Sequence, residues 1–569
     1  MKFVAIDIET SGLYPIPGSK IFCVAVNNGT TIKVVEKIES IRGILENEKI
    51  CKIIHNAHFD SFWLRRLYDI KIKNIWDTRL VEQVILGENL PRSNKNEELK
   101  EQLSSSLLYT LKRYKLANLK NKEMGAEFAT RDKNAPLTPK EIEYAKNDVK
   151  YLLELQKRQE KKLLELDLVR VAELENKVVE VVVEMRNRGI GFSKTKWLEI
   201  AKNNETEFNR LQSKMPKEVS NWNSPAQVKT FFASKNIHIA SLTEIDEISD
   251  KYNHPILNQF IEMRKMFKDV TTYGKSWLED KIKIDTVDSD NRVRADFEQI
   301  INTGRFSCSH PNLQQLRRDG LQRSAFIPSK GNVFVIGDFS SQEIGIAAAA
   351  SGETLWINAM LNKEDVHSLT AAAVSNQDWV NGKEKNCAYP KKCKCPKHVD
   401  QREDAKVTNF TILYGGGPLN VSRKTKKSLK EATKLVHRFK RAVPKLIRWL
   451  TKNANESIRT RLSYSADPFK RRRTLRDPED WMLSNIGKNN PIQSCGANMI
   501  KLAMANLPET LPIVLTVHDE LIIEVPKAKA NKAALQLKSV MEKAADYCTG
   551  VPGLIIVEPR IADSLLKTK

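Results

Sequence analysis

Nothing limits the fold of this chain more than the stretch from Val333 to Ser351, VFVIGDFSSQEIGIAAAAS. The apolar, β-branched run Val333, Phe334, Val335, Ile336 predicts a buried strand, which ends at Asp338 where an Ala-rich helix begins. A carboxylate therefore stands at a strand tip, and Glu343 follows in the turn into the helix. Far downstream, VLTVHDELIIEV (Val514 to Val525) places Asp519-Glu520 between two apolar half-strands. Mg²⁺ takes hard oxygen ligands and is held by one or two carboxylates plus substrate phosphates. Asp338 and Asp519 are thus expected to share two ions about 3.5–4 Å apart, one serving the attacking oxygen and one the leaving oxygen. Taken singly, each acid reads as an ordinary solvated turn residue.

With 569 residues the chain exceeds one core and predicts three or four domains. Lys and Arg outnumber Asp and Glu by 93 to 70, a formal charge of +23, which favours a polyanionic partner, nucleic acid first. No apolar run is long enough for a bilayer, and MKFVAIDIET opens directly on strand chemistry without the look of a targeting peptide. Eight cysteines in so long a chain do not make a disulfide scaffold.

Strand side chains two apart share a face, so Asp7 and Glu9 in the first strand project together. His55-Asn56 closes a later strand and puts Asp60 early on a helix. Thr138 reads as an N-cap with Pro139 at the first helical position, and along that helix Tyr144 and Asp148 stand four apart on one face. These motifs, DIET, N-x-x-x-D and Y-x-x-x-D, resemble the DEDDy family of 3′-to-5′ exonucleases. The resemblance implies that Asp7, Glu9, Asp60 and Asp148 hold two metal ions and that Tyr144 helps orient the attacking water, with Asp77 of WDT in a structural role.

Asp167 to Arg188 predicts a helix stopped at Gly189, followed by a short strand IGFS; charged helices and polar loops then continue through Lys283. Ser224 caps a further helix with Pro225 at its first position. Lys265, Lys268 and Lys275 suit contacts to a duplex backbone.

In the second half, Arg402, Lys406, Phe410 and Tyr414 recur every fourth residue, a slowly drifting helical stripe in which two cations precede two aromatics. A triphosphate along it meets charge first and ring faces last. NTGRFSCSHPNLQQ (Asn302 to Gln315), VIGDFSSQEIG, AKVTNFTILYGGG and VHDELIIEV, in that order, resemble the family A DNA polymerases, the group of bacterial DNA polymerase I and several phage replicases. The implied fold is multidomain α/β and α+β: an RNase H-like exonuclease domain (1–165), a thumb with connecting helices (166–300), a palm (301–365 and 481–569) and fingers (366–480) with a Cys/His insertion near 380–400. No separate 5′ nuclease domain is expected, since nothing precedes the exonuclease motif.

The same resemblance assigns roles. Asp338 and Asp519 hold Mg²⁺, which Mn²⁺ can replace, and Glu520 stands near the primer end. Arg402, Lys406 and His367 meet nucleotide phosphates, Phe410 stacks near sugar and base, Tyr414 ends the same nucleotide-binding helix, and Glu343 crowds the sugar 2′ position. Arg305, Asn489 and Gln493 contact primer-template near the new pair, His518 supports the primer terminus, and Arg471, Arg472 and Arg473 of FKRRR lie near the template strand. Phe410 in place of tyrosine implies discrimination against dideoxynucleotides. Departures are Ser341 where glutamine is usual, Gly345 where arginine is, and Asn485 where arginine is frequent, which touch fidelity and minor-groove contacts rather than metal chemistry.

NCAYPKKCKCPKH offers Cys387, Cys393, Cys395 and His398, which read either as a small Zn²⁺ site or as free cysteines in a reducing compartment. The expected function is a monomeric, proofreading DNA polymerase of phage type, acting in a bacterial or infected-host cytoplasm on primer-template DNA and deoxynucleoside triphosphates, with no membrane partner. Two rivals remain on the sequence: a nuclease whose second half only binds duplex, and an exoribonuclease resembling ribonuclease D, which accounts for residues 1–165 alone.

Overall fold

The alternating N-terminal segment builds a five-stranded sheet. β1 (Lys2–Thr10) pairs antiparallel with β2 (Ile21–Asn27), which carries β3 (Ile32–Val35) on its far side; β4 (Ile50–Ile54) and β5 (Ile75–Asp77) run parallel to β1 on the other. Asp7 sits opposite Ala25 and Glu9 opposite Cys23, so both acids leave the same face. The sheet is covered by helices α1 (Ala57–Tyr68), α2 (Thr78–Leu86) and α3 (Pro139–Lys150). Ala5, Cys23, Ala25 and Ile53 bury against Ala145, Val149 and Leu152. A large aliphatic such as Ile53, fully buried here, contributes about 1.5–3 kcal/mol. α3 starts as its sequence asks: Thr138 Oγ1 accepts from Glu141 N, and Glu141 Oε2 accepts from Thr138 N in return, a closed capping box with Pro139 at the first position.

The molecule is a computed structural model that describes residues 2–88, 94, 96–117, 123–239, 241–242, 252, 254–278, 287–375, 387–393, 395–476 and 479–567. They divide into two units, the first from Met1–Arg188, Phe297–Cys308 and Val335–Ile561, the second from Gly189–Asp296, Ser309–Phe334 and Ala562–Lys569. The helix α4 (Val169–Arg188), expected with the thumb, packs in the first unit. Its stripe Val171, Val178, Val182, Met185 is at most 1% exposed and packs against α1 and the long helix Asp480–Asn506.

The second unit holds α5 (Lys194–Ser213), α6 (Pro225–Ser234) and α7 (Pro255–Tyr273) around Phe208, Trp222, Phe231, Phe232 and Phe260. Ser224 and Pro225 start α6 as expected, although the Ser224 side chain makes no capping bond. Lys265, Lys268 and Lys275 are exposed, and the expected stretch up to Lys283 lies outside the described residues from 279 on.

The run at Val333 becomes β6 (Asn332–Asp338), followed by α8 (Gln342–Ser351), α9 (Val366–Ser375), α10 (Pro396–Leu413) and the long α11 (Asp480–Asn506). β7 (Ile513–Val517) and β8 (Glu520–Pro526) form a hairpin, then come α12 (Ala530–Thr549) and β9 (Arg560–Ala562). The sheet order is β7-β8-β6-β9. β6 is central and buried on both faces, which is why its sequence is continuous rather than alternating. A side chain at Gly337 would start 2.6 Å from Met541 Sδ, so the missing side chain is what lets α12 lie close on the strand. Of the expected Cys/His insertion, residues 376–386 and 394 lie outside the described residues. Among the described residues no helix is long and apolar enough to cross a membrane.

Candidate active sites

Asp7 and Glu9 from β1 and Asp148 from α3 offer oxygens that all lie within 4.8 Å of one another. Asp60, on the first turn of α1, is 2% exposed and accepts the Ile8 amide at 3.1 Å, which places it behind the same strand. Its pKa is pushed well above the usual carboxylate range, first by burial and then by Asp7. The Tyr144 phenol is raised too, by burial and then by Asp148, Glu9 and Asp7, and it hydrogen-bonds Asp148. Even the Cys23 thiol, opposite Glu9, is pushed up to about 12 by burial and by these acids. Carboxylates this close repel unless cations lie among them, so the donor set fits hard divalent ions. Asp77 instead organises backbone: fully buried, it accepts the amides of Asn56, Ala57, Arg79 and Leu80, tying two helix starts together.

In the second site Val517 pairs with Glu520, so His518 and Asp519 are the whole turn of the β7–β8 hairpin, with His518 at φ +56°. Asp338 ends the neighbouring strand, and the Phe339 amide points at the Asp519 carbonyl at 3.5 Å. Both aspartates are thus at one edge of one sheet, with Glu520 8% exposed beside them. Glu343, in the first turn of α8, accepts from Arg305 Nη2 at 2.8 Å and from the Tyr414 hydroxyl at 2.6 Å. Gln493 on α11 hydrogen-bonds Tyr414, whose pKa is raised to about 12 by burial and then by Glu343. Four residues singled out on sequence, from four separate segments, therefore form one network. Asn489 precedes Gln493 by one turn of α11 and is half-buried, while His518 is exposed.

The stripe on α10 is real but unequal. Lys406 and Tyr414 are exposed and Phe410 is half-buried, its ring 5.9 Å from that of His367. Arg402, expected at phosphate, is 6% exposed: Nε and Nη2 donate to the two oxygens of Asp365 at 2.8 and 2.9 Å, and Nη1 to Glu403. A guanidinium held by both oxygens of one carboxylate is occupied, so in this conformation it is a strut rather than a phosphate ligand. His367 is also buried; Asn409 Nδ2 donates to its Nδ1, and burial lowers its pKa to about 4, leaving a neutral ring at neutral pH instead of a cation.

Two of the three FKRRR arginines are likewise not at the surface where their charge put them. Arg471 is 5% exposed, ion-paired with Glu175 of α4 and donating to Asn498 Oδ1 at 2.8 Å. Arg472 donates to the Ile85 carbonyl at the end of α2, while Arg473 is half-buried in a two-stranded ribbon opposite Ser463. Lys501 completes the buried cluster, donating to Glu175 at 2.6 Å and to the Gln299 carbonyl at 2.8 Å. Burial opposes ionisation of Glu175, but Lys501 and Arg471 together hold its pKa below the usual range. Sequence reading missed Glu175. Its position four residues from both Val171 and Val179, on the apolar face of α4, was the available signal of a buried acid.

Two departures from the family pattern have a local cause. A side chain at Gly345 would begin 2.5 Å from Ile555 Cγ1 and 3.0 Å from Met360 Cε, so no arginine fits. Asn485 packs on Gly415, which has φ +81° and whose added Cβ would lie 2.3 Å from Asn485 Oδ1. Ser341 begins α8 at φ +52°, and nothing in the structure accounts for serine there.

Residues 194–564 match the family model described as DNA polymerase family A, and residues 1–164 match that of a 3′-5′ exonuclease. DNA polymerase I of Caldicellulosiruptor bescii is 28% identical over 402 residues, 65% of this chain and 44% of that protein. The thermostable DNA polymerase I of Thermus aquaticus is 31% identical over 332 residues, 56% of this chain and 37% of that protein. The chain thus spans less than half the length of these curated relatives. In fold it is similar to the POL domain of Pol1 from M. smegmatis, solved in complex with DNA primer-template and dNTP: TM-score 0.80 at 18% identity, covering 99% of this chain and 95% of that one. With the polymerase model matched over well more than half of its residues, the chain belongs to DNA polymerase family A.

Proposed function

We propose that the protein is a template-directed DNA polymerase that proofreads with a 3′-to-5′ exonuclease site of the DEDDy kind. The observation that carries this reading is the meeting of Asp338 and Asp519 at one sheet edge, with the Arg305–Glu343–Tyr414–Gln493 network starting five residues from Asp338. Two divalent ions in each site, Mg²⁺ or Mn²⁺, supply Lewis acidity and a more acidic attacking oxygen when bound. Asp338 and Asp519 hold and orient them at the polymerase site, and Asp7, Glu9, Asp60 and Asp148 do so at the other. Glu520 stands near the primer end, which His518 supports.

Around that edge the chain's own groups sort the substrate. Exposed Lys406 meets the triphosphate of a deoxynucleotide, and Phe410 with Tyr414 gives it a ring surface. Glu343 is held by two donors and so keeps a fixed carboxylate against the sugar 2′ position. Arg305, Asn489 and Gln493 face the nascent pair of a primer-template. For Arg402 to reach phosphate, it must first leave Asp365. At the second site Tyr144, hydrogen-bonded to Asp148, orients the attacking water. Primer extension and end degradation, scored on the same preparations of Asp338→Asn, Asp519→Asn and Asp7→Ala, test the assignment. The first two should lose synthesis and keep degradation, and the third should do the reverse. Joint loss of both activities in a folded variant overturns the two-site reading.

A further inference from the structure

The segment leading into α10 and the start of that helix together contain four soft donors that the proposed polymerase chemistry does not use. Cys387 Sγ lies 3.5 Å from Cys393 Sγ and 3.2 Å from His398 Nδ1, Cys393 Sγ lies 3.1 Å from Cys395 Sγ and 3.7 Å from His398 Nδ1, and all four atoms fall within 4.8 Å of one another. Zn–S bonds of about 2.3 Å and Zn–N bonds of about 2.0 Å in a tetrahedron put neighbouring ligand atoms about 3.5–3.8 Å apart, close to this spacing. Cys393, Cys395 and His398 are 1%, 7% and 1% exposed, although Lys391, Lys392 and Pro396 among them face solvent. Among the described residues the apolar cluster nearby has only Ala371 and Ala405 as buried members, with Ala372 and Tyr389 at its margin. So small a cluster does not fold a strap of this length by itself, and a metal is the ordinary substitute for a missing core.

The ligands are not scattered over the strap. Cys395 is the N-cap residue of α10 and His398 is in its first turn, one step round on the same face, so two donors belong to the helix and two to the segment leading into it. Cys395 also accepts the His398 and Val399 amides through its carbonyl, at 3.1 and 3.0 Å. The same strap is tied to Asp365, whose amide donates to the Pro390 carbonyl at 2.9 Å and whose carboxylate is the one gripping Arg402.

We infer that Cys387, Cys393, Cys395 and His398 form a closed tetrahedral Zn²⁺ site that staples the strap to the first turn of α10 and so fixes the helix that presents Lys406, Phe410 and Tyr414. Three thiolates and one imidazole leave no open position, so the ion is structural and takes no part in nucleotide transfer. The second half of the inference, that the staple sets nucleotide affinity, rests on the proposed reading of α10.

The test uses the full chain made in zinc-supplemented medium and purified without a metal-binding tag. Elemental analysis should find about one zinc per chain. Replacement by Co²⁺ should give the thiolate charge-transfer and tetrahedral d–d bands. His398→Ala and Cys393→Ser should lose both signals, while His398→Cys, which keeps four ligands, should retain them. Less than about a tenth of an equivalent of zinc, with the thiols free, overturns the site. For the staple, Cys393→Ser should raise KM for deoxynucleotide about ten-fold relative to wild type, with degradation of single-stranded DNA unchanged. Zinc lost with KM unmoved overturns the coupling to α10. A wild type that binds zinc but extends no primer leaves the metal site standing and sinks the polymerase reading instead.

Discussion

The two carboxylate sites solve the same problem in opposite ways. At the N-terminal site three acids are crowded within 4.8 Å, two on strand β1 and one on the helix α3 that covers it, with a fourth buried behind them. At the other site two aspartates stand at the end of a strand and in a two-residue turn, half-exposed, with Glu520 next to one and, five residues from the other, Glu343 held by a guanidinium and a phenol. The first is a concentrated charge built in advance of substrate. On the proposed function, the second leaves room for triphosphate oxygens to complete the ligand set, and the spacing of the carboxylates separates a site that grips only a strand end from one that must admit a new nucleotide each cycle.

The largest effect that can break this contrast is separation of function. Asp519→Asn should reduce primer extension on the order of 10³-fold while end degradation changes little, and Asp7→Ala should give the mirror image in the same gel assay. Next comes the buried Glu175 cluster. Glu175→Ala strands Arg471 and Lys501 without their carboxylate and should cost about 3–5 kcal/mol, visible as a lower denaturation midpoint and as loss of both activities together.

A third test asks whether the polymerase side carries an acid-labile element of its own. His367 binds its proton more weakly folded than unfolded. Below the ordinary histidine value the unfolded chain therefore holds more protons, stability falls as pH drops towards about 4, and the loss is complete below that. Over that window wild type should lose about 3 kcal/mol more than His367→Gln, measured by denaturant titration at several pH values. The smallest effect belongs to the Tyr414→Phe variant. Removing one donor to Glu343 should cost about 1 kcal/mol, read as a several-fold lower kcat/KM for nucleotide with degradation unaltered.

Much of this was legible because it is local. The strand ending at Asp338, the capped start of α3 and the hairpin around Asp519 are each written in one short continuous run, and each formed where its pattern placed it. The elements missed have weak or shared signals. β3 is a four-residue strand that is nowhere fully buried, so its alternation carries little information. The basic run was visible as charge, but charge does not name its partner. Arg471 finds Glu175 at a separation of 296 residues, and only the packed α4 shows that this positive cluster is spent inside the protein. The ion pair of Arg402 is hidden in the sequence for the same reason, since Asp365 lies 37 residues upstream.

One joint has a kinetic meaning. The Thr474 amide donates to the Gly87 carbonyl at 2.9 Å, Thr474 Oγ1 to that of Leu86 at 2.9 Å, and Arg471, on the same ribbon segment, pairs with the buried Glu175. The segments that carry both carboxylate sets lie in one unit, joined by backbone bonds and desolvated charges. On the proposed function, a mispaired terminus is then the travelling part, and how soon it reaches the second centre is governed by how readily the duplex frays.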